Sequence, residues 1–175
     1  RDLRGTLTAY PLCVVHPASV EQVSTVLRYA NEQRVPVVPF GAGSGVCGGV
    51  LPDEEAIVVD LRRMTRIVEL NDLALTVRVQ AGMMGGTCEA ALNEKGYSMG
   101  HFPQSIALST VGGWVATRAA GQYSTRYGSI EDMLLALEVV LPDGRVVRTR
   151  VGPRSATGPD VRNVFLGSEG TLGVV

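Results

Sequence analysis

Apolar positions recur along this chain with two periods, and the switch between them divides it into two parts. Val14-Val15 reads as a short strand closed by His16-Pro17. Ser19 and Gln22 stand in a capping-box pattern, and Val20, Val23, Val26, Leu27 and Ala30 follow at helical spacing to about Gln33. The unbroken run Val35 to Phe40 then reads as a buried strand, and Ile57 to Asp60 as a third strand beside it. Strand, helix and strand in so few residues predict a small parallel βαβ lobe, about 1–62. Past Leu61-Arg62-Arg63 the period shortens. Ile67 to Leu70, Asn71-Asp72 and Leu75 to Gln80 predict a hairpin with alternating faces, and Thr87 to Lys95 a short helix ended by Gly96. Leu135 to Leu141, Pro142-Asp143-Gly144 and Arg145 to Arg150 predict a second hairpin, and Asp160 to Phe165 a short helix. The expected fold class is therefore α+β: a small parallel lobe joined to a larger, mostly antiparallel one (about 63–175) with flanking helices. No internal repeat or low-complexity tract interrupts the pattern.

The chemistry begins where the second strand runs out, at Pro39-Phe40-Gly41-Ala42-Gly43-Ser44-Gly45-Val46-Cys47-Gly48-Gly49. A strand that empties into so many glycines leaves a row of backbone N–H groups with no Cβ to shield them, which suits a phosphate or pyrophosphate. The density exceeds what a plain turn between strands requires. Gly43, Gly45 and Gly48 satisfy G-x-G-x-x-G, with Asp60 downstream, yet the dinucleotide fingerprint also needs a helix directly after the glycines. Here Gly49-Val50-Leu51-Pro52 follows, with no helical period and a proline, so a nicotinamide Rossmann fold is excluded. A P-loop is excluded too, because the sole lysine, Lys95, follows no G-x-x-x-x-G. The expectation is a diphosphate held by loop amides. The parallel topology would put that loop at the carboxyl end of a central strand, where open α/β sheets bind ligands.

Two further stretches bring bare backbone forward. In His101 to Gly121, Ser109 or Thr110 can cap a helix whose next turns hold Gly112, Gly113, Ala116, Ala119 and Ala120. Each interior glycine costs a helix about 1 kcal/mol against alanine, so something flat must press on this one. Close helix packing and a planar aromatic cofactor both satisfy that demand. In the second case Ser109 and Thr110 would offer hydroxyls and amides to its polar edge. The third stretch is Gly167-Ser168-Glu169-Gly170-Thr171-Leu172-Gly173. Three such loops in one short chain point to one large, elongated ligand.

Composition trims the alternatives. With 175 residues, 45% of them apolar, the chain suits one packed domain or two closely joined lobes. A net charge of -1 with scattered arginines argues against nucleic acid and anionic membranes as partners. Cys13, Cys47 and Cys88 form no C-x-x-C pair, so neither a disulfide framework nor a zinc site is indicated, and a reduced, cytoplasmic setting is the default. A start at Arg1 and an end inside an apparent strand suggest a piece of a longer protein.

In this order, the three stretches resemble the FAD-binding domain of the vanillyl-alcohol-oxidase-type (PCMH-type) flavoproteins. The likeness covers essentially the whole chain. Gly-His-Phe-Pro-Gln-Ser (100–105), Ser-Thr-Val-Gly-Gly-Trp-Val-Ala-Thr-Arg (109–118) and Arg-Tyr-Gly-Ser-Ile-Glu-Asp (126–132) are most similar to the alkyldihydroxyacetonephosphate synthases and their bacterial relatives. The resemblance implies that Gly41 to Gly45, following Pro39 and Phe40 and including Ala42, Gly43 and Ser44, give amides to the FAD pyrophosphate. It implies that Gln104, Ser105, Ser109 and Thr110 line the flavin and the diphosphate bridge. Val111 and Gly112 belong to the same segment, and Gly113, Trp114, Ala116 and Thr117 would form a wall for the ring system. Glu169, Gly170, Gly173, Val174 and Val175 would meet the adenosine or ribityl portion by main chain. Some relatives attach flavin covalently through a histidine in the glycine loop; Ser44 and Gly45 stand there instead, which implies non-covalent FAD.

The reaction implied is exchange of the acyl group of acyl-dihydroxyacetone phosphate for a fatty alcohol at flavin N5, a step of ether lipid synthesis. The rival within the family is an FAD-linked oxidase or dehydrogenase of a 2-hydroxy acid such as D-lactate or glycolate. A reading from another class is a non-catalytic ligand-binding module. The family's catalytic side chains sit in a substrate-cap domain outside these residues, so no catalytic or metal-binding residue is expected here. His101 would orient the turn before Pro103, and Tyr123 and Tyr127 would pack or lie at the surface. The cap would hold the small or lipid-like substrate, a homo-oligomer is compatible, and a eukaryotic version would be peroxisomal.

Overall fold

The structure is a computed structural model and describes residues 9–153 and 155–175. The first eight residues of the expected parallel lobe thus lie outside the described residues. Within that lobe, β1 (Cys13–Val15), α1 (Val20–Gln33), β2 (Val37–Phe40) and β3 (Ile57–Asp60) form as the periodicity predicts. The Ser19 side chain accepts the Gln22 amide at the head of α1, while the Gln22 side chain takes the amide of Ala18. Arg34 ends the helix in the left-handed region (φ 56°).

One expectation is corrected. All three strands are parallel, but the order is β1-β3-β2, so β3 is the central strand and β2 lies at the edge. Burial shows why: all four residues of β3 are buried, whereas β2 is half-buried throughout. The glycine loop therefore leaves an edge strand, and it crosses back to β3 through residues 41–56 with no helix on the way.

The antiparallel part holds two separate ladders rather than one sheet. The first hairpin pairs β4 (Ile67–Asn71) with β5 (Thr76–Val79) across a bulge between Ile67 and Glu69. The second pairs β6 (Glu138–Val140) with β7 (Val146–Arg148). Glu138 holds both Arg78 of β5 and Arg148 of β7, so one carboxylate ties the ladders together. Five helical segments complete the chain: α2 (Gly85–Asn93), α3 (Val111–Thr117), α4 (Ser124–Tyr127), α5 (Ile130–Met133) and α6 (Arg162–Phe165).

The two parts share a core. Val23, Leu27 and Ala30 of α1 pack with Ile57 and Val59 of β3, and Val140 and Val174 from the antiparallel part complete the same cluster. A second cluster is built on Trp114, Val115, Ile130, Val139 and Phe165. Arg162 explains how the irregular segment before β6 is held. Its buried guanidinium donates to the carbonyls of Leu134, Leu135 and Gly152 while pairing with Asp160. Among the described residues no helix is long and apolar enough to cross a membrane, and no group of three or more metal-ligating side chains gathers.

Candidate cofactor site

The three glycine-bearing stretches meet. A Cβ added to Gly41 would lie 2.5 Å from the Thr110 hydroxyl, one on Gly170 would lie 2.7 Å from the Pro39 ring, and one on Gly49 would lie 2.9 Å from the Glu169 carboxylate. The amides of Gly167 and Glu169 donate to the carbonyls of Val115 and Ala116, which staples the last loop along α3. Residues far apart in sequence thus surround one edge of the molecule.

Within this edge the first loop is open. Among the described residues no amide from Ala42 to Cys47 donates a hydrogen bond, and Gly43 to Cys47 are exposed. Gly43 takes a left-handed φ of 68° directly against the Phe40 ring, a geometry that a side chain would strain. Gly45 has nothing within 4 Å of the position a Cβ would occupy. A run of exposed, unpaired N–H groups can accept an anion. Gln104 is exposed and Ser105 half-buried, so both face the surface near the head of α3.

Other residues of the expected set are spent on the fold. The Ser109 hydroxyl donates to the Ser105 carbonyl and accepts the Trp114 indole N–H, both at 2.7 Å. The Thr110 hydroxyl caps α3 through the Gly113 amide, and the amides of Val111 and Gly112 donate to Met83 and Ala81. Both side chains are buried; the Ser109 hydroxyl is engaged on both sides, while the Thr110 oxygen lies against Gly41 of the first loop. Trp114 is 2% exposed, so its side chain is part of the core and no wall for a ring. Gly112 is small because Ala81 lies against it: a Cβ would fall 2.6 Å from that of Ala81. Thr117 turns its hydroxyl back on the Gly113 carbonyl. Val174 gives both its amide and its carbonyl to Val140, Gly173 presses on Val139, and Val175 packs toward the Trp114 cluster. Both main-chain polar groups of Val174 thus take part in the bridge to Val140. The surfaces left free are the 42–47 amides, the half-buried Gly113 and Ala116, and the Glu169-Gly170 turn.

His101 is a packing residue. It is fully buried, meets Trp114 edge-on with ring centroids 4.8 Å apart, and neither ring nitrogen has a hydrogen-bond partner among the described residues. The ring is held by packing while backbone hydrogen bonds from Ile106 to Pro103 and from Gln122 to Phe102 fix the turn, and burial pushes the imidazole pKa below its ordinary value. Tyr123 and Tyr127 are half-exposed and stack on Phe102 and Arg126.

At the opposite foot of the loop sits a charged cluster that the sequence reading used only as a failed fingerprint. Burial would raise the pKa of Asp60, but hydrogen bonds from the Arg62 side chain and amide outweigh it and hold the carboxyl below its usual range. His16 approaches the same carboxylate at 3.4 Å.

The mixed parallel and antiparallel architecture with an open glycine loop is that of the PCMH-type FAD-binding fold, as the likeness to solved structures shows. The comparisons agree. The sequence matches the family described as FAD binding domain over residues 11–150, and this chain belongs to that family. It is 43% identical over 98% of its length to an FAD-linked oxidoreductase of Escherichia coli K12, YgcU, and 38% identical over 98% to the alkyldihydroxyacetonephosphate synthase of Caenorhabditis elegans. The glycolate oxidase subunit GlcD of Bacillus subtilis is 36% identical over 99% of the chain. A solved alkyldihydroxyacetonephosphate synthase superposes with a TM-score of 0.84 at 36% identity, covering 92% of this chain and 32% of that one. The fold extends to 6-hydroxy-D-nicotine oxidase of Arthrobacter nicotinovorans, at a TM-score of 0.70 and 19% identity, covering 81% of this chain and 31% of that one. The chain spans about a third of the curated relatives it matches: 36%, 29% and 37% of these three. FAD is the cofactor, and the relatives are FAD-dependent enzymes.

Proposed function

We propose that this chain is the FAD-binding domain of an enzyme of the alkyldihydroxyacetonephosphate synthase type, which exchanges an acyl group on dihydroxyacetone phosphate for a fatty alcohol. The observation that carries its cofactor role is the exposed run of unpaired amides from Ala42 to Cys47, which begins where Thr110 meets Gly41 and Gly170 meets Pro39. These amides bind the diphosphate with no need for lysine or a helix end. Gly113 and Ala116 present flat backbone to the ring system, and Gln104 and Ser105 supply polar groups at its edge. Glu169 and Gly170 close the far side. Ser44 and Gly45 offer no nucleophile of the histidine kind, so FAD is held non-covalently. When bound, the flavin supplies the reactive nitrogen at which the exchange takes place without net redox; this chain contributes placement and exclusion of water. Support for the synthase comes from relatives of that name at 36–39% identity over 98% or more of the chain.

A second reading, oxidation of a 2-hydroxy acid, is favoured by the equal likeness to the glycolate oxidase subunit. The test uses the full-length protein. A flavin absorption band that survives anaerobic D-lactate and glycolate, with labelled fatty alcohol incorporated from acyl-dihydroxyacetone phosphate, supports the first reading. Bleaching by either acid moves the assignment to the second, and a colourless protein sinks both.

A further inference from the structure

The glycine loop cannot set its own shape, since unpaired amides and glycines carry no interaction that fixes them. Something underneath must do so. The ring of Phe40, the last residue of β2, carries Gly43 at its outer edge: a Cβ there would lie 3.0 Å from the ring. Over the ring of Phe40 lies the guanidinium of Arg62, 5.3 Å from its centroid. Arg62 is itself locked. Its Nε donates to both Asp60 oxygens at 3.0 and 3.1 Å, its terminal nitrogen reaches Oδ2 at 2.6 Å, and its amide bonds Oδ1 at 3.0 Å. The Asp60 carboxylate is 3% exposed at the carboxyl end of the central strand, in register with Phe40, and the Leu61 amide bonds the Phe40 carbonyl.

We propose that Arg62, clamped by Asp60, is a positioning residue for the cofactor: through Phe40 it holds the Gly43 turn in the conformation that aims the 42–47 amides at one diphosphate. The inference rests on the FAD reading above and deepens it. A planar fork is required for this task, because only a guanidinium can bond a carboxylate along one edge while its face covers a ring. Arg62 is half-exposed but pairs with an Asp60 side chain that is 3% exposed, so a lysine in its place, which keeps the charge and loses the fork, is expected to loosen the loop and leave the fold. A loop that must be ordered at binding lowers affinity by the fraction of time it is competent.

The experiment titrates the full-length apoprotein with FAD, following flavin fluorescence, for wild type, Arg62→Met and Arg62→Lys. Both variants are expected to weaken FAD about tenfold. Arg62→Met strands the Asp60 carboxylate, which is 3% exposed, and should lower the apoprotein's melting temperature. Arg62→Lys keeps a charge beside it and should stay within about 2 °C of wild type, with faster deuterium uptake confined to the peptide spanning residues 40–48. Full rescue by lysine overturns the proposal, because charge rather than the fork would then matter. Unchanged FAD affinity in both variants overturns it, as does faster exchange spread over the whole chain in Arg62→Lys. If wild type itself binds no FAD, the family reading falls too; wild-type binding with indifferent variants removes the Arg62 role alone.

Discussion

Two regions of this molecule are rich in glycine, and they use it for opposite ends. Around Gly82, Gly85 and Gly112 the space a Cβ would take is already filled by protein. A Cβ on Gly82 would lie 1.8 Å from the Leu61 carbonyl, and one on Gly85 would lie 2.0 Å from the Trp114 ring. At Gly45 that space is empty and the neighbouring amides are unpaired. Glycine count alone does not separate the two. What occupies the place of the missing side chain does: protein in one case, and in the other a gap that a ligand can enter.

The comparison breaks most visibly at Gly82. Gly82→Ala drives a methyl into backbone that belongs to the turn after β3, so no rotamer change relieves the clash. Destabilisation by at least about 3 kcal/mol is expected, at the severe end of overpacking. Chemical denaturation with and without FAD measures it. A variant as stable as wild type would show that this packed region yields, and that close approach is not why glycine stands there.

The sequence made some of this legible and hid the rest for physical reasons. The 3.6-residue period of α1 and the apolar run of β3 are local signals, and both elements appear where the pattern puts them. Strand order is not local: two equally apolar strands, β2 and β3, give no hint which is central, and the βαβ reading placed the wrong one there. The open loop was visible because its glycines crowd together. The internal duties of Ser109, Thr110 and Trp114 were not visible, since a hydroxyl bonded to an indole five residues on reads the same as one offered to a ligand. Arg162 and Arg62 were passed over because nothing in a scattered arginine reveals a buried carbonyl cluster or a ring beneath it. Asp160 and Asp60, each two residues before its arginine and bonded to that residue's amide and guanidinium, were the available signal.

The packed region should carry a pH dependence of its own, separate from that of Asp60 at the foot of the open loop. His101 is buried against Trp114, and its folded-state pKa lies below 6.5, so the unfolded chain takes up a proton first. Its contribution is therefore complete above about pH 6.5 and declines as pH falls, by up to about 1.4 kcal/mol per unit, until the folded-state value is reached. His16 is the one other histidine and lies half-exposed beside Asp60. His101→Leu should flatten thermal stability just below about pH 6.5, and should cost nothing at higher pH, where it replaces two unpartnered nitrogens by apolar volume. A slope unaltered by the substitution would mean that the imidazole finds a partner in solution.

The finest test lies at Gly45, where fold and ligand make opposite demands. An added methyl meets nothing within 4 Å, and the backbone there is outside the left-handed region, so the folded state has no reason to resist alanine. Gly45→Ala should change stability by less than about 0.5 kcal/mol, and restricting the unfolded chain can even make that change favourable. A diphosphate held by bare amides needs the same volume, however, so FAD should bind about tenfold or more weakly to the full-length apoprotein. Stability and affinity thus part company at this residue, whereas at Gly82 they should fall together. Equal FAD affinity in Gly45→Ala would show that the vacant space is solvent rather than cofactor volume, and the contrast between the two glycine regions would lose its functional half.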